Sequence, residues 1–234
     1  MSSVTLRRIL HDIQLVTVKS VESLADDGIY YQAKESNIHF GTALIVGPKG
    51  TPYAGGFYFF SVEFPTDYPY SPLKIRTLTQ DGFTRFNPNM YTCGKVCLSI
   101  LNTWAEGPQW SGVQTLESVL RVIQSDVLDD LPLRNEPAYR AIDAAHPDSI
   151  AYNRAVFHAN VWTGIHRMLT APPSFAVPFA EILTEEWARR KEEVLAAVKA
   201  YVSHDGVKEI IRVYNMPAKY AFADVLEKLN AVKS

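Results

Sequence analysis

The chain has 234 residues, of which 47% are hydrophobic and 21% are charged, and its net charge is −2. This length allows one sizeable domain plus an extension, and the composition is globular rather than disordered. The near-neutral charge gives no reason to expect nucleic acid or a membrane as a partner. The sequence shows no signal peptide and no run of about 18 apolar residues. Two cysteines are too few for a disulfide framework, so we expect reduced thiols in the cytosol or nucleus.

The first predicted element is an amphipathic helix over residues 3–16. An apolar stripe with i, i+3, i+4, i+7 spacing runs along it: Leu6, Ile9, Leu10 and Ile13. Arg7 and Arg8 lie off that stripe. A solvated helix face is the ordinary interpretation of such charges.

Four short runs rich in β-forming residues follow the first helix, at 29–33, 38–46, 57–64 and 73–78. The last part of the third run alternates between apolar and polar residues, as expected of a strand with one buried face. Connections this short require antiparallel pairing, because a parallel crossover needs a dozen or more residues. The sequence therefore predicts an α+β fold built on a four-stranded antiparallel meander.

An unusual segment comes next, at residues 87–104. Asn87-Pro88-Asn89 is typical of a rigid turn, and Gly94 permits a second sharp bend before Cys97. Such a thiol is either a buried structural cysteine or a nucleophile with a side-chain amide nearby to stabilise an oxyanion. From the residues alone, the structural interpretation is the commoner one.

Two other kinds of site are compatible with a cysteine at this position. A cysteine hydrolase would need a histidine beside Cys97, and nothing in the sequence places His146 or His158 there. A metal site on Cys93 and Cys97 would need two further ligands, and no nearby His or Cys supplies them. We therefore expect no metal site.

Helices are predicted for much of the remaining chain. A central helix over about 113–128 would follow a capping box made by Ser111 and Gln114, and Pro132 would end it. Two later helical patterns end near residues 172 and 206, and the tail beyond 206 suggests one or two shorter helices. We place the domain boundary at residue 170, with a helical extension over 171–234.

The segment around Cys97 resembles the active site of ubiquitin-conjugating enzymes. In that family a His-Pro-Asn turn lies eight residues before a Gly-Lys-(Ile/Val)-Cys-Leu nucleophile. Asn89 to Cys97 keeps this spacing, and residues 94–98 match throughout. Asn87 in place of histidine is similar to one branch, which contains the large Z-type enzymes and the conjugating domain of the giant apoptosis-inhibitor protein. Residues 47–57, 64–74 and 135–139 also resemble family segments.

The resemblance implies the ubiquitin-conjugating fold, with an N-terminal helix, a central helix after the active-site loop and additional C-terminal helices. It implies that Cys97 accepts ubiquitin or a related modifier as a thioester from an activating enzyme. Cys97 would then pass the modifier to a substrate lysine or a ligase cysteine. Asn89 would stabilise the turn or the oxyanion. Ser99, at the site border, replaces a common aspartate, so Asp129, Asp130 or groups of the substrate would activate the lysine.

The resemblance also implies partner surfaces on this chain. Three sets of residues are expected: Arg7 and Arg8 for the activating enzyme; Tyr70, Pro72, Gly112 and Val113 for a ligase; and Glu117, Ser118 and Arg121 for the donor ubiquitin. No cofactor is expected in this chain, because the activating enzyme is the component that uses ATP. The alternative is an inactive variant that serves as a ubiquitin- or ligase-binding module, and the retained Cys97 argues against it.

Overall fold

A four-stranded antiparallel sheet forms the centre of the molecule. The computed structural model describes residues 3–17 and 24–233. Helix α1 comes first, and the strands follow it along the chain: α1 Ser3–Thr17, β1 Ile29–Ala33, β2 Phe40–Val46, β3 Phe57–Glu63 and β4 Lys74–Thr77. The strands pair in the order β1-β2-β3-β4, each antiparallel to its neighbour. The predicted meander is confirmed.

The inner face of the sheet packs against α1, the active-site segment and a central helix. Tyr58, Phe60 and Val62 of β3 point to this side and belong to one buried cluster with residues of those elements. The central helix, α2, spans Leu116–Val122 and continues as a π-helical turn, Ile123–Val127.

The outer face of the sheet is covered by the C-terminal helices. These are α3 Pro147–Ala159, a π-helical turn Asn160–His166, α4 Arg167–Thr170, α5 Ala180–Ala200 and α6 Phe222–Ala231. Phe57 and Phe59 of β3 lie in a second buried cluster with Phe179, which directly precedes α5, and with Trp187 of α5. The outer layer is defined as the end of α3, the π-helical turn, α4, residues 171–179, α5 and α6. No helix in the described ranges is long and apolar enough to cross a membrane.

Burial on both faces explains the pattern along β3. All four residues of 57–60 are buried, and the first partly exposed position is Ser61, beyond which buried and partly exposed residues alternate. A strand covered on both faces reads as a continuous apolar run, whereas a strand with one free face alternates. Alternation therefore begins where the helical cover ends.

Helix α1 is rotated from its predicted orientation. Its buried residues include Ile9, Asp12 and Val16, whereas Leu10 is 50% exposed. Asp12 is fully buried because its carboxylate accepts hydrogen bonds from Arg8 Nε at 2.8 Å, from the Tyr68 hydroxyl and from the Leu116 backbone N–H at 3.0 Å. An apolar-stripe criterion cannot find such a residue, since a carboxylate is buried only with its partners.

Helix α2 begins three residues later than predicted. Its capping box is made by Thr115, whose hydroxyl accepts from the Ser118 backbone N–H, and by the Ser118 hydroxyl, which accepts from the Thr115 N–H. Of the predicted box only one hydrogen bond exists, from the Ser111 backbone N–H to Gln114 Oε1 at 2.9 Å. Val113 consequently lies outside the helix.

The tail contains a hairpin where only helices were predicted. Strands β5 Lys208–Ile211 and β6 Met216–Lys219 pair antiparallel and precede α6. Each strand has four residues, which is too short for its period to show in the sequence. The turn between them contains no glycine: Tyr214 and Asn215 adopt left-handed φ angles of 62° and 51°.

Candidate active site

Asn87 holds the turn that precedes Cys97. Its side chain is fully buried, and its Nδ2 donates to the Val127 carbonyl at 2.7 Å and to the Tyr53 hydroxyl at 3.3 Å. Its Oδ1 accepts from the Asn89 backbone N–H at 2.8 Å. The amide therefore joins the turn to α2 on one side and to the following residue on the other.

Asn89 and Cys97 are joined by two reciprocal hydrogen bonds. The Cys97 N–H donates to the Asn89 carbonyl at 2.8 Å, and Asn89 Nδ2 donates to the Cys97 carbonyl at 2.5 Å. Cys97 is 4% exposed. The side chain of Asn89 thus fixes the backbone that carries the thiol, and one of its two N–H groups is engaged in doing so.

Gly94 makes the bend between these two residues. Its φ of +89° lies in the region that glycine adopts without strain. Its carbonyl accepts from the Thr77 N–H at 2.9 Å, and the neighbouring Cys93 carbonyl accepts from Arg76 at 2.6 Å. The bend is therefore tied to β4, with Cys93 exposed upon it.

A small cleft of about 180 Å³ opens at Cys97. It is lined by Arg85, Pro88, Asn89, Tyr91, Cys97, Trp104, Asn135, Glu136 and Pro137. Glu136 is the single carboxylate in this lining, and it was not among the acidic residues predicted for the site. Its signal was the match of residues 135–139 to family members. Among the predicted catalytic residues, the structure brings Asn89 and Cys97 together here.

Asp129 and Asp130 line a different cleft, against the loop of residues 47–51. Burial, and secondarily the charge of Asp130, raises the pKa of Asp129 to about 7. Ser99 begins a short 3-10 turn, Ser99–Leu101, and is not part of the Cys97 cleft lining. A role for Asp129 and Asp130 in lysine activation stays a prediction, as does the place of Ser99 at the site border, and their positions give neither any geometric support.

The two histidines of the hydrolase alternative lie elsewhere. His146 caps α3 through its Nδ1, which accepts from the Asp148 N–H at 3.1 Å. His158 Nε2 accepts from the Ala221 N–H at 3.0 Å and from Trp162 Nε1 at 3.2 Å. Neither lines the cleft at Cys97.

Arg8 is partly buried, with 20% of its side chain exposed, so its predicted solvated position is wrong, whereas its contact with an activating enzyme stays a prediction. Besides its ion pair with Asp12, it donates to the carbonyls of Gly112 at 2.8 Å and Gln114 at 2.5 Å. The guanidinium therefore joins α1 to the loop before α2. Arg7 is exposed, and its contact with an activating enzyme stays a prediction.

The two loops predicted to bind a ligase lie side by side. Trp110 Nε1 donates to the Pro69 carbonyl at 2.8 Å, which joins the loop before α2 to the loop between β3 and β4. Tyr70 and Val113 are 82% and 84% exposed on these loops. Gly112, beside Val113, is exposed and Pro72 is half-buried.

The predicted donor-ubiquitin face of α2 is occupied by contacts within the chain. Arg121 is paired with Glu117 at 2.9 Å and with Asp27 at 2.9 Å, and Ser118 belongs to the capping box. The Arg121 side chain is 43% exposed, so part of this face is open to solvent.

Comparison with known proteins decides the family. The family model described as ubiquitin-conjugating enzyme matches residues 8–157, which include the Asn87 turn, Cys97 and the whole sheet. The chain belongs to the ubiquitin-conjugating enzyme family. Ubiquitin-conjugating enzyme E2 Z of Homo sapiens is 45% identical over 129 residues, which are 54% of this chain and 35% of that protein. E2 Z of Danio rerio is 46% identical over 129 residues, or 54% and 38% of the two chains.

A solved structure supports the same assignment. A ubiquitin-conjugating enzyme from Plasmodium yoelii superposes with a TM-score of 0.51 and 29% identity, covering 70% of this chain and 95% of that one. These similarities place this chain near the Z branch of the family. Matched segments make up between 25% and 53% of the curated relatives' own lengths.

Proposed function

We propose that this chain accepts ubiquitin or a ubiquitin-like modifier on Cys97 as a thioester and transfers it to a substrate lysine or a ligase cysteine. Family membership supports the general reaction class. The observation that carries the assignment to Cys97 is its position in a cleft, on a backbone that Asn89 fixes. Residues 94–98 around it match the family motif.

The chemistry requires a thiol at this point. In charging, the sulfur of Cys97 attacks the carbonyl carbon of the modifier's thioester on the activating enzyme, a new C–S bond forms, and the other enzyme's cysteine leaves. A thioester stays activated toward amines, whereas an oxygen ester is much less reactive. The chain itself then needs no cofactor, since the activating enzyme consumes the ATP.

Asn89 has two amide hydrogens, which allows two roles. One hydrogen is donated to the Cys97 carbonyl, so the side chain shapes the turn in the resting protein. The second is the donor available to the oxyanion that forms when an amine attacks the thioester. We propose that Asn89 has both roles: its hydrogen bond to the Cys97 carbonyl orients the amide so that the second hydrogen is directed at the oxyanion.

Charging assays with a panel of modifiers test this function. The chain is incubated with ATP, an activating enzyme and ubiquitin or one of several ubiquitin-like proteins. We expect a covalent adduct with at least one modifier that disappears under reducing conditions. If every combination of activating enzyme and modifier leaves the chain unmodified while a control conjugating enzyme is charged, the proposal is wrong.

A further inference from the structure

The C-terminal hairpin contacts two residues that line the Cys97 cleft, Arg85 and Glu136. Its residues Ile211, Val213 and Met216 are buried in the inner cluster rather than in the outer layer that precedes and follows them. The Arg85 backbone N–H donates to Met216 Sδ at 3.2 Å. The extension therefore leaves the outer face of the sheet and returns to the side on which Cys97 lies.

Tyr214, at the tip of this hairpin, is held in an unfavourable backbone conformation. A φ of 62° costs an L-residue with a bulky side chain roughly 1–2 kcal/mol and persists where the surroundings determine it. Its hydroxyl donates to Glu136 Oε2 at 2.5 Å, and its ring lies 4.2 Å from the Arg85 guanidinium carbon. Such strain clusters at functional sites.

Arg85 connects the hairpin to the cleft wall. Its guanidinium lies between two tyrosine rings, with Tyr214 on one side and Tyr91 at 3.8 Å on the other. It also donates to the Pro88 carbonyl at 2.6 Å, within the turn that precedes Cys97. Arg85 thus connects Tyr214 of the extension to Tyr91 and Pro88, which line the cleft at Cys97.

Burial, followed by the hydrogen bond to Glu136, raises the pKa of Tyr214 well above its usual range. The hydroxyl therefore remains a proton donor at neutral pH. While it donates to Oε2, it fixes the rotamer of Glu136, and the carboxylate keeps its remaining acceptor capacity.

From this arrangement we propose that Tyr214, supplied by the extension, is a positioning residue for Glu136, the carboxylate of the Cys97 cleft, which activates the incoming lysine. This inference rests on the proposed function. Glu136 takes one proton from the lysine ammonium and later releases it to solvent. The amine nitrogen attacks the thioester carbonyl carbon, the C–N bond forms and the C–S bond breaks. The second proton leaves nitrogen for the departing Cys97 sulfur, which ends as a thiol.

Single-turnover discharge of the preformed thioester tests this, with free lysine and a small thiol as parallel acceptors. A thiol ionises without help near neutral pH far more readily than a lysine, so Glu136→Gln should slow lysine discharge about 10²-fold and leave thiol discharge unchanged. Tyr214→Phe keeps the ring beside Arg85 and should slow lysine discharge about tenfold. Tyr201→Phe is the matched control and should match the wild type, because the ring of this extension tyrosine packs on Phe157 and Phe222 in the outer layer.

The double variant Tyr214→Phe/Glu136→Gln should be no slower than Glu136→Gln alone, because Tyr214 acts only through Glu136. If Glu136→Gln discharges to lysine at the wild-type rate, or if discharge to lysine and to the thiol slows equally, the assignment of Glu136 is overturned. Additive effects in the double variant overturn the positioning role of Tyr214. A wild-type chain that no activating enzyme charges overturns the proposed function itself, an outcome visible before any discharge is measured.

Discussion

The two faces of the sheet are both buried, yet they differ in what covers them. The inner face packs against α1, α2 and the active-site segment, whose turns and cysteine lie within a family motif. The outer face packs against the outer layer, which supplies aromatic contacts such as Phe59 with Phe175 and Phe179. The inner side holds the cleft, and the outer side gives the sheet its second core.

The hairpin of residues 208–219 links the two sides. It belongs to the extension by sequence, but its buried residues pack with the inner cluster and its tip contacts Arg85 and Glu136, which line the Cys97 cleft. The extension is therefore joined to the catalytic side by direct contacts as well as through the sheet. The predictions below test how far the two faces depend on one another.

Phe59→Ala should have the largest effect. It removes an aromatic ring that is fully buried on the outer face, and such truncations cost about 3–5 kcal/mol of unfolding free energy. Ser61 lies on the same face two residues later, where the helical cover has ended. Ser61→Ala should change the unfolding free energy by less than about 0.5 kcal/mol. Urea unfolding measures both. Equal stability of the two variants would mean that the outer layer contributes little to the fold.

Asn89→Ala tests the inner side. Losing one preorganised donor typically costs roughly 2.7–4 kcal/mol, so discharge to free lysine should slow at least a hundredfold. Charging should remain nearly normal where the activating enzyme supplies its own donors. Asn89→Asp also lacks the N–H that reaches the Cys97 carbonyl and should be equally slow. Asn153→Ala, which loses a hydrogen bond to Asp130 outside the cleft, is the control. Discharge at the wild-type rate by Asn89→Asp would remove the amide donor from the mechanism.

Arg8→Ala should destabilise the inner side by about 2–3 kcal/mol, because Asp12 stays fully buried and loses its cation. The Tyr68 and Leu116 donors remain, which keeps the loss at the lower end for a buried pair. Arg7→Ala, one residue away and exposed, should change stability by about 0.5 kcal/mol or less. Thermal melting distinguishes them, and equal melting temperatures would contradict the internal role of Arg8.

Acid should loosen the outer layer selectively through His158. Burial lowers the pKa of His158 to about 4, from an ordinary value near 6.5. Between these values the unfolded chain binds a proton that the folded chain does not, so stability falls as pH falls from about 6.5 to about 4. The full difference between these two pKa values corresponds to about 3 kcal/mol of unfolding free energy, and partial exposure of the imidazole reduces this to about 2 kcal/mol.

Hydrogen exchange at the Ala221 N–H, which donates to His158 Nε2, measures this local loss of stability. His158→Gln keeps an acceptor but does not titrate, so its stability should vary less between pH 6.5 and pH 4. The same pH dependence in His158→Gln and the wild type would assign the effect to other groups.

The sheet and the position of Cys97 could be predicted because their signals are local. Apolar runs, short connections and turn residues define the meander, and the spacing from Asn89 to Cys97 defines the active-site segment. The burial of Asp12 and Arg8 could not be predicted, because it depends on Tyr68 and Leu116, which are distant in sequence. The hairpin escaped prediction since its strands are short and its turn uses Tyr214 and Asn215 in place of glycine.

The acidic residue of the cleft shows the same limit. Asp129 and Asp130 stand out as a charged pair, but they face another cleft, whereas Glu136 lies beside Cys97. Position along the chain relative to a motif does not decide which cleft a side chain lines once a turn intervenes. An acidic residue does line the cleft at the thiol, as the prediction expected, but it is Glu136. The positions of Asp129 and Asp130 give the predicted residues no geometric support.

Intact-mass measurement of the charged protein tests the role of Cys97 most directly. After incubation with ATP, activating enzyme and modifier, we expect one modifier on the wild-type chain and on Cys93→Ala, removed by reductant in both. Cys97→Ser should hold a modifier that reductant does not remove, as an oxygen ester, and Cys97→Ala should hold none. A reducible adduct on Cys97→Ala that is lost in Cys93→Ala would contradict the assignment of the nucleophile.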